Sequence, residues 1–398
     1  MEHNNSNSFF KRTWAEIHLD RAEKNLEILR RSLDASHTRP ACVIKANAYG
    51  HGDVQLMKCY QNAGVDFFTV SNLNEAIRLR EGGCRGDILI LGWTAADHAP
   101  VLAKENIIQT VLSAEYASEL SDAVKKSGSE PVRVHIKLDT GMGRIGLLAA
   151  DKEKCAAEIA AICRLEGLEA EGAFTHFAVA DSLSEDDFNY TENQKKLFFD
   201  VVDMAKALGA KLETIHCLNS AGTLLHYDSR SSLARLGIVL YGLKPAPEVA
   251  IPEGILPVME LKSVVSYIKT LHKGESVSYG RTFTADRDML VATVPAGYAD
   301  GYSRLLSGEN EVLINGRRAK GVGRICMDQM MVDISDIPNV HEGTEVTLFG
   351  RDGDDMITPD DLAAIYGTIG YEIICGINQR VPRVYIKDGK ITEVHEFI

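Results

Sequence analysis

Several signatures are missing from this 398-residue chain, and each absence narrows its function. No Cys-x-x-Cys pair occurs, so zinc knuckles and thioredoxin-type redox motifs are excluded and no metal site is expected. The eight cysteines (Cys42, Cys59, Cys84, Cys155, Cys163, Cys217, Cys326 and Cys375) are scattered, and several lie in apolar runs. They read as buried free thiols in a reducing compartment. No apolar stretch reaches transmembrane length, and the Asn/Ser-rich residues 1–12 form no secretory core, which predicts a cytoplasmic protein without a membrane partner. Positive charge is in short supply: 43 Lys and Arg against 56 Asp and Glu leave a net charge of -13. That balance argues against nucleic acid or an anionic membrane as the main partner, while leaving room for a locally positive pocket. Internal repeats and low-complexity segments are also missing.

What is present is ordinary globular composition, 45% hydrophobic and 25% charged, at a length that favours one large and one smaller domain. Short apolar runs recur at 41–46, 66–71, 87–92, 107–112, 132–138, 168–176, 214–218 and 232–236. Amphipathic helical stretches such as 74–81, 114–126, 151–165 and 191–208 lie between them. Eight strands alternating with helices over about 200 residues predict a (β/α)8 TIM-type barrel. An open doubly wound sheet is the competing architecture, but no Gly-x-Gly-x-x-Gly follows a first strand. A strand at 13–19 and a helix capped by Asp20 and running to about 33 precede the alternation. The Pro/Gly-punctuated stretch 244–257 marks a boundary, giving a loose segment 1–12, a barrel unit 13–244 and a mostly β C-terminal unit 245–398. In the last unit, strands are expected at 261–270, 289–294, 311–314, 331–334 and 345–349, with only 359–366 helical.

A barrel keeps its functional residues at the carboxyl ends of its strands. The run 41–46 carries Lys45 there. Burial lowers a lysine pKa and would prepare the amine to attack a carbonyl; alternatively the side chain simply snorkels outward. The fifth run leads into Lys137 and Arg144, the sixth ends at His176, the seventh at Asn219-Ser220, and the eighth carries Arg235-Leu236-Gly237-Ile238. Loops after strands seven and eight commonly bind phosphate, here through Ser220 and the amides of Gly237 and Ile238.

The segments 43–52, 137–146, 175–178, 219–221, 235–238, 277–280, 297–301, 323–329 and 380–383 together resemble the alanine racemases, over nearly the whole chain. The resemblance implies a barrel plus β-domain enzyme that uses pyridoxal 5'-phosphate (PLP) to interconvert L- and D-alanine, supplying D-alanine for peptidoglycan. It implies that PLP is held on Lys45, that Lys45 and Tyr279 serve opposite faces of the substrate Cα, and that His176 and Arg304 assist the tyrosine. Tyr279 could instead be one more aromatic on a β pleat. By the same resemblance Arg235 faces the pyridine nitrogen, where an arginine donates a hydrogen bond without protonating the ring. Tyr49, Asn219, Ser220, Gly237, Ile238 and Tyr371 correspond to cofactor-binding positions. Arg144, Met327, Asp328 and Tyr298 correspond to substrate-binding positions, Arg144 also lying near the phenolic oxygen of PLP. Lys137 corresponds to a lysine that is carbamylated in many relatives. A homodimer is implied in which Tyr279 of one subunit completes the barrel site of the other. Asn378 departs from the Ser or Thr associated with the family near that position. The alternatives are a serine or broad-specificity racemase on the same scaffold, a PLP-dependent decarboxylase, expected to carry a carboxylate in place of Arg235, and a non-catalytic PLP carrier.

Overall fold

Eight parallel strands close into a ring in a computed structural model that describes residues 9–33 and 37–396. In order they are Arg39–Val43, Phe67–Val70, Asp87–Ile90, Ile108–Val111, Val132–Asp139, Leu168–Phe174, Thr214–His216 and Leu233–Leu236. The eighth strand pairs back onto the first through Leu233 opposite Arg39. It meets the seventh through a parallel bridge between Leu218 and Ala234. Helices cover the outside of the ring, so these strands are buried on both faces and read as continuous apolar runs rather than as alternation. Helix starts follow their capping residues. Asn72 accepts from the Glu75 amide at 3.0 Å, Ser113 from Tyr116 at 3.1 Å and Asp151 from Lys154 at 3.0 Å. The helix expected at 191–208 begins earlier, at Glu185, because Ser184 caps it.

The second unit is built on a sheet of Arg317–Lys320, Glu311–Ile314, Glu345–Asp352, Met259–Val264, Thr13–His18, Arg383–Lys387 and Lys390–His395, in that spatial order. Thr13–His18, expected within the 13–244 unit, is therefore a central strand of this second sheet, antiparallel to Met259–Val264 and parallel to Arg383–Lys387. The chain enters the C-terminal unit first and only then builds the barrel. Residues 1–8 of the expected loose segment lie outside the described residues, but Phe9 packs its ring 5.5 Å from that of Trp14. The following helix starts at Leu19 with Asp20 inside its first turn, where an acidic group complements the helix dipole instead of capping it. The strand expected at 261–270 is two strands in different sheets, Met259–Val264 and Tyr267–Leu271. A second short helix, Gly370–Cys375, follows Pro359–Tyr366. Among the described residues no helix is long and apolar enough to cross a membrane.

Candidate active site

A cavity of about 500 Å³ opens at the carboxyl end of the barrel. The first strand stops at Val43, and Lys45 opens a left-handed turn in which Ala46, Asn47, Ala48 and Tyr49 have φ of 51°, 55°, 53° and 52°. Each such L-residue costs roughly 1–2 kcal/mol. Local bonds hold the turn: Gly50 N–H to Ala46 O at 3.0 Å, Gly52 N–H to Asn47 O at 2.9 Å, and Asp53 N–H to Asn47 Oδ1 at 3.1 Å. The Arg383 guanidinium, fully buried in the second unit, donates to Gly50 O at 2.9 Å and pins the turn from outside the barrel. The turn sends both Lys45 and Tyr49 to the cavity wall. Burial lowers the Lys45 pKa, and the Arg144 charge lowers it further.

Lys137, Arg144, His176, Asn219 and Ser220 line the same cavity, as do Arg235, Gly237, Ile238 and Tyr371. Lys137 is fully buried, donates to Leu138 O at 2.6 Å, and has its pKa lowered to about 7 by burial, with Asp139 opposing and Arg235 assisting. Burial and the surrounding cations hold the His176 pKa well below its ordinary value, so this ring is neutral. Arg235 is 3% exposed, and burial lowers its pKa only to about 10, which leaves it charged at neutral pH. Its Nη1 donates to His216 Nδ1 at 2.8 Å and His216 O at 3.2 Å, and its Nη2 to Thr175 O at 2.8 Å and Cys217 O at 3.3 Å. Among the described residues the Arg235 Nε–H has no partner. Beside it, Gly237 N–H donates to Ser220 Oγ at 3.0 Å, and Asn219 Oδ1 accepts from Gly222 at 2.7 Å. A Cβ on Gly237 would lie 2.9 Å from the Tyr49 hydroxyl, so the absence of a side chain keeps this corner open.

Of the residues expected from the second unit, Tyr371 joins this cavity within one chain and the others do not. Tyr279, Arg304, Tyr298, Met327 and Asp328 are absent from its lining. Tyr279 is 67% exposed, Met327 53% and Tyr298 42%. Their loops are nonetheless built. Ser278, just before the tyrosine, has φ of 68° and is held by its hydroxyl donating to Arg324 O at 2.6 Å. Asp328 pairs with Arg380 at 2.7 Å, and Arg380 reaches on to the fully buried Asp300 at 2.9 Å. Arg304 sits in the one-turn helix Arg304–Leu306. Met142, Phe174 and Asp181 also line the cavity, although the sequence reading did not single them out. His216, which holds Arg235, was missed too. The only available signal was a histidine inside an otherwise apolar strand.

Comparison with known proteins bears on this arrangement directly. Residues 17–245 match the family model described as "Alanine racemase, N-terminal domain", and residues 258–385 match "Alanine racemase, C-terminal domain". The chain belongs to the alanine racemase family. It is similar to alanine racemase 1 of Clostridium acetobutylicum, 41% identical over 97% of this chain and 98% of that one. An alanine racemase of Geobacillus stearothermophilus is 40% identical over 98% of both chains. Among solved structures, an alanine racemase of Clostridium difficile 630 superposes with a TM-score of 0.91 at 37% identity, covering 98% of this chain and all of that one. The alanine racemase of Bacillus anthracis with bound L-Ala-P gives 0.89 at 35% identity, covering 98% and 99%. Family membership accords with the barrel and mostly β unit read from the sequence.

Proposed function

We propose that this protein interconverts L- and D-alanine with PLP held on Lys45, supplying D-alanine for peptidoglycan in the cytoplasm. One observation carries the reading: the lowered-pKa amine of Lys45, the unpartnered Nε–H of Arg235 and the open corner at Gly237 share a single cavity. These donors fit PLP. The amine matches its aldehyde, the guanidinium its ring nitrogen, and Tyr49, Ser220, Asn219, Tyr371 and the amides of Gly237 and Ile238 its phosphate. PLP, when bound, supplies an electron sink that makes the proton on the substrate Cα removable. Arg235 can donate to the ring nitrogen but does not surrender its proton at neutral pH, which keeps the sink moderate.

Inversion needs a proton acceptor and donor on each face of Cα. Lys45 serves one face, with a pKa already lowered by its surroundings. Tyr279 serves the other, brought by a second subunit in a homodimer, with His176 and Arg304 beside it. The exposure of Tyr279 and its distance in the chain from the barrel strands support a shared site. Arg144 binds the substrate carboxylate together with the Met327 amide, while Asp328 and Tyr298 shape the approach. Lys137 is carbamylated. Its buried amine, with a pKa of about 7, is in part unprotonated at neutral pH and can add CO2 with loss of a proton, and the resulting anion would orient Arg144.

The decisive experiment is to supply the purified, PLP-loaded protein with a panel of L-amino acids and follow inversion by chiral separation. Alanine should dominate. Equal turnover of serine would move the reading to a broad-specificity racemase, and release of CO2 in place of inversion would overturn it. Borohydride should fix PLP on Lys45.

A further inference from the structure

Below the active site, the barrel interior contains two histidines that the proposed reaction does not use. His135 and His216 are both fully buried. His135 Nδ1 lies 2.9 Å from His216 Nε2, and His216 Nδ1 lies 2.8 Å from Arg235 Nη1. At the far end His135 Nε2 is 3.5 Å from Glu171 Oε1. Glu171 in turn takes two bonds from Arg133, at 3.0 and 2.9 Å. A polar line thus runs from the bottom of the barrel to Arg235. It is hydrogen-bonded from Arg235 to His135 and continued to Glu171 by charge proximity alone, since His135 Nε2 has no hydrogen-bond partner among the described residues.

The proton positions along the line follow from chemistry. A guanidinium only donates, so His216 Nδ1 must accept from Arg235. In a neutral ring the His216 proton then sits on Nε2, where it can only be given to His135 Nδ1. The His135 proton is forced onto Nε2 and faces the Glu171 carboxylate. Burial holds both rings below the ordinary histidine pKa, consistent with neutrality. The fold has made room for this line. A Cβ on Gly172 would lie 2.6 Å from His135 Cδ2 and Nε2, so the ring occupies the space a side chain would take. Phe174 stacks on His216, with centroids 4.9 Å apart and planes within 5°.

We propose that His135 and Glu171 are positioning residues for Arg235: through His216 they fix which guanidinium hydrogens are spent on the protein and which one is left for the cofactor ring. This rests on the reading that Arg235 faces the ring nitrogen of PLP. Nη1 and Nη2 are engaged by protein acceptors, which leaves Nε–H. If His135 could not accept, His216 would be free to carry its proton on Nδ1, presenting N–H to N–H, and Arg235 would lose its best-placed anchor. Hydrogen-bond partners that orient metal-binding side chains change affinity or activity by about 10–100-fold, and an effect at the lower end of that range is expected for groups that orient Arg235.

The test uses the holoenzyme with 15N-histidine and, separately, 15N-labelled PLP. In the unmodified protein both His135 and His216 should be neutral with the proton on Nε2, a result that needs no variant. Gly172→Ala, which displaces the His135 ring, and Glu171→Leu should each disturb the His216 pattern and move the ring-nitrogen signal of PLP. Both should lower kcat about 10-fold with KM for alanine within about twofold. Glu171→Gln keeps an acceptor and should restore the tautomers. A His216 protonated on Nδ1 or on both nitrogens in the unmodified protein would overturn the proposal. So would a ring-nitrogen signal unmoved in folded Gly172→Ala and Glu171→Leu proteins while Arg235→Lys moves it. If Arg235→Lys also leaves that signal in place, the placement of Arg235 at the ring nitrogen fails instead.

Discussion

The barrel cavity and the exposed loops of the second unit carry comparable sets of functional candidates, but they are built by opposite means. In the barrel, Lys45, Lys137, His176 and Arg235 are taken out of water, and burial is the largest influence on the pKa of each. In the second unit Tyr279, Tyr298 and Met327 stand in solvent, and only their backbones are fixed. Burial creates reactivity within one chain. The exposed set has well-made loops but no chemical surroundings of its own, as expected of a half-site that a partner completes.

The largest effect should come from the buried half. Lys45→Ala should reduce racemisation by at least about 10⁴-fold, since it removes an acid/base group together with the cofactor's attachment. Chiral assay of the PLP-loaded variant measures this. A loss of less than about tenfold would show that the cavity is not the reacting centre. Next comes Tyr279→Phe, expected to cost about 10²–10⁴-fold and to slow exchange of the L-alanine α-proton more than that of D-alanine. Mixing sharpens the comparison further. Lys45→Ala and Tyr279→Phe subunits, unfolded together and reassociated at equal amounts, pair at random so that about half the dimers are mixed. A mixed dimer with shared sites holds one doubly defective and one intact site, so about a quarter of wild-type activity should return. No recovery from proven mixed dimers would place both groups in one subunit.

A smaller effect is expected at Lys137. With its pKa near 7, the amine is mostly protonated at pH 6 and cannot react with CO2, whereas above pH 8 it is mostly neutral. Protein stripped of CO2 at pH 6 should therefore lose activity several-fold and regain it on adding bicarbonate above pH 8. Intact-protein mass should rise by one CO2 in step. Activity indifferent to bicarbonate at both pH values would remove the carbamate from the scheme.

The contrast between the two halves also explains what could be read from the sequence. The eight barrel strands were legible because parallel strands buried on both faces are written as apolar runs, and their carboxyl ends revealed Lys45, Lys137, His176 and Arg235. Membership of the sheet was not legible for Thr13–His18, because its pattern specifies a strand without naming its neighbours, and these come from Met259–Val264 and Arg383–Lys387. The left-handed turn after Lys45 was hidden as well. Ala46, Asn47, Ala48 and Tyr49 carry no glycine among them, and the constraint comes partly from Arg383, more than 300 residues away. Gly370–Cys375 is too short to show helical periodicity.

The smallest expected effect tests whether the exposed half is as firmly built as its backbone suggests. Asp300 is fully buried two residues after Tyr298, and its carboxylate is shared. Arg12 donates to both oxygens at 2.8 and 3.0 Å, Arg380 approaches one at 2.9 Å, and the Gly297 amide donates to the other at 3.0 Å. Arg380 also pairs with Asp328, and the Asp300 carbonyl accepts from Asn378, so this one buried acid joins the Tyr298 loop, the loop beside Met327 and the segment leading to Arg383. Arg12→Ala removes the two-pronged partner but leaves Arg380 and Gly297. The penalty should therefore be about 1–2 kcal/mol, below the roughly 3–5 kcal/mol typical when a buried charge loses its only partner. Arg12→Lys should recover only part of it, since an ammonium cannot engage both oxygens in the same plane. Urea unfolding with an unchanged slope and a lowered midpoint would measure the stability term. Because Arg12 touches the loops and not the barrel cavity, KM for alanine should rise a few-fold while the affinity for PLP stays at its wild-type value. A loss of PLP affinity would mean that the Asp300 cluster acts through the segment leading to Arg383 on the turn that carries Lys45, and that the buried half is not insulated from the exposed loops.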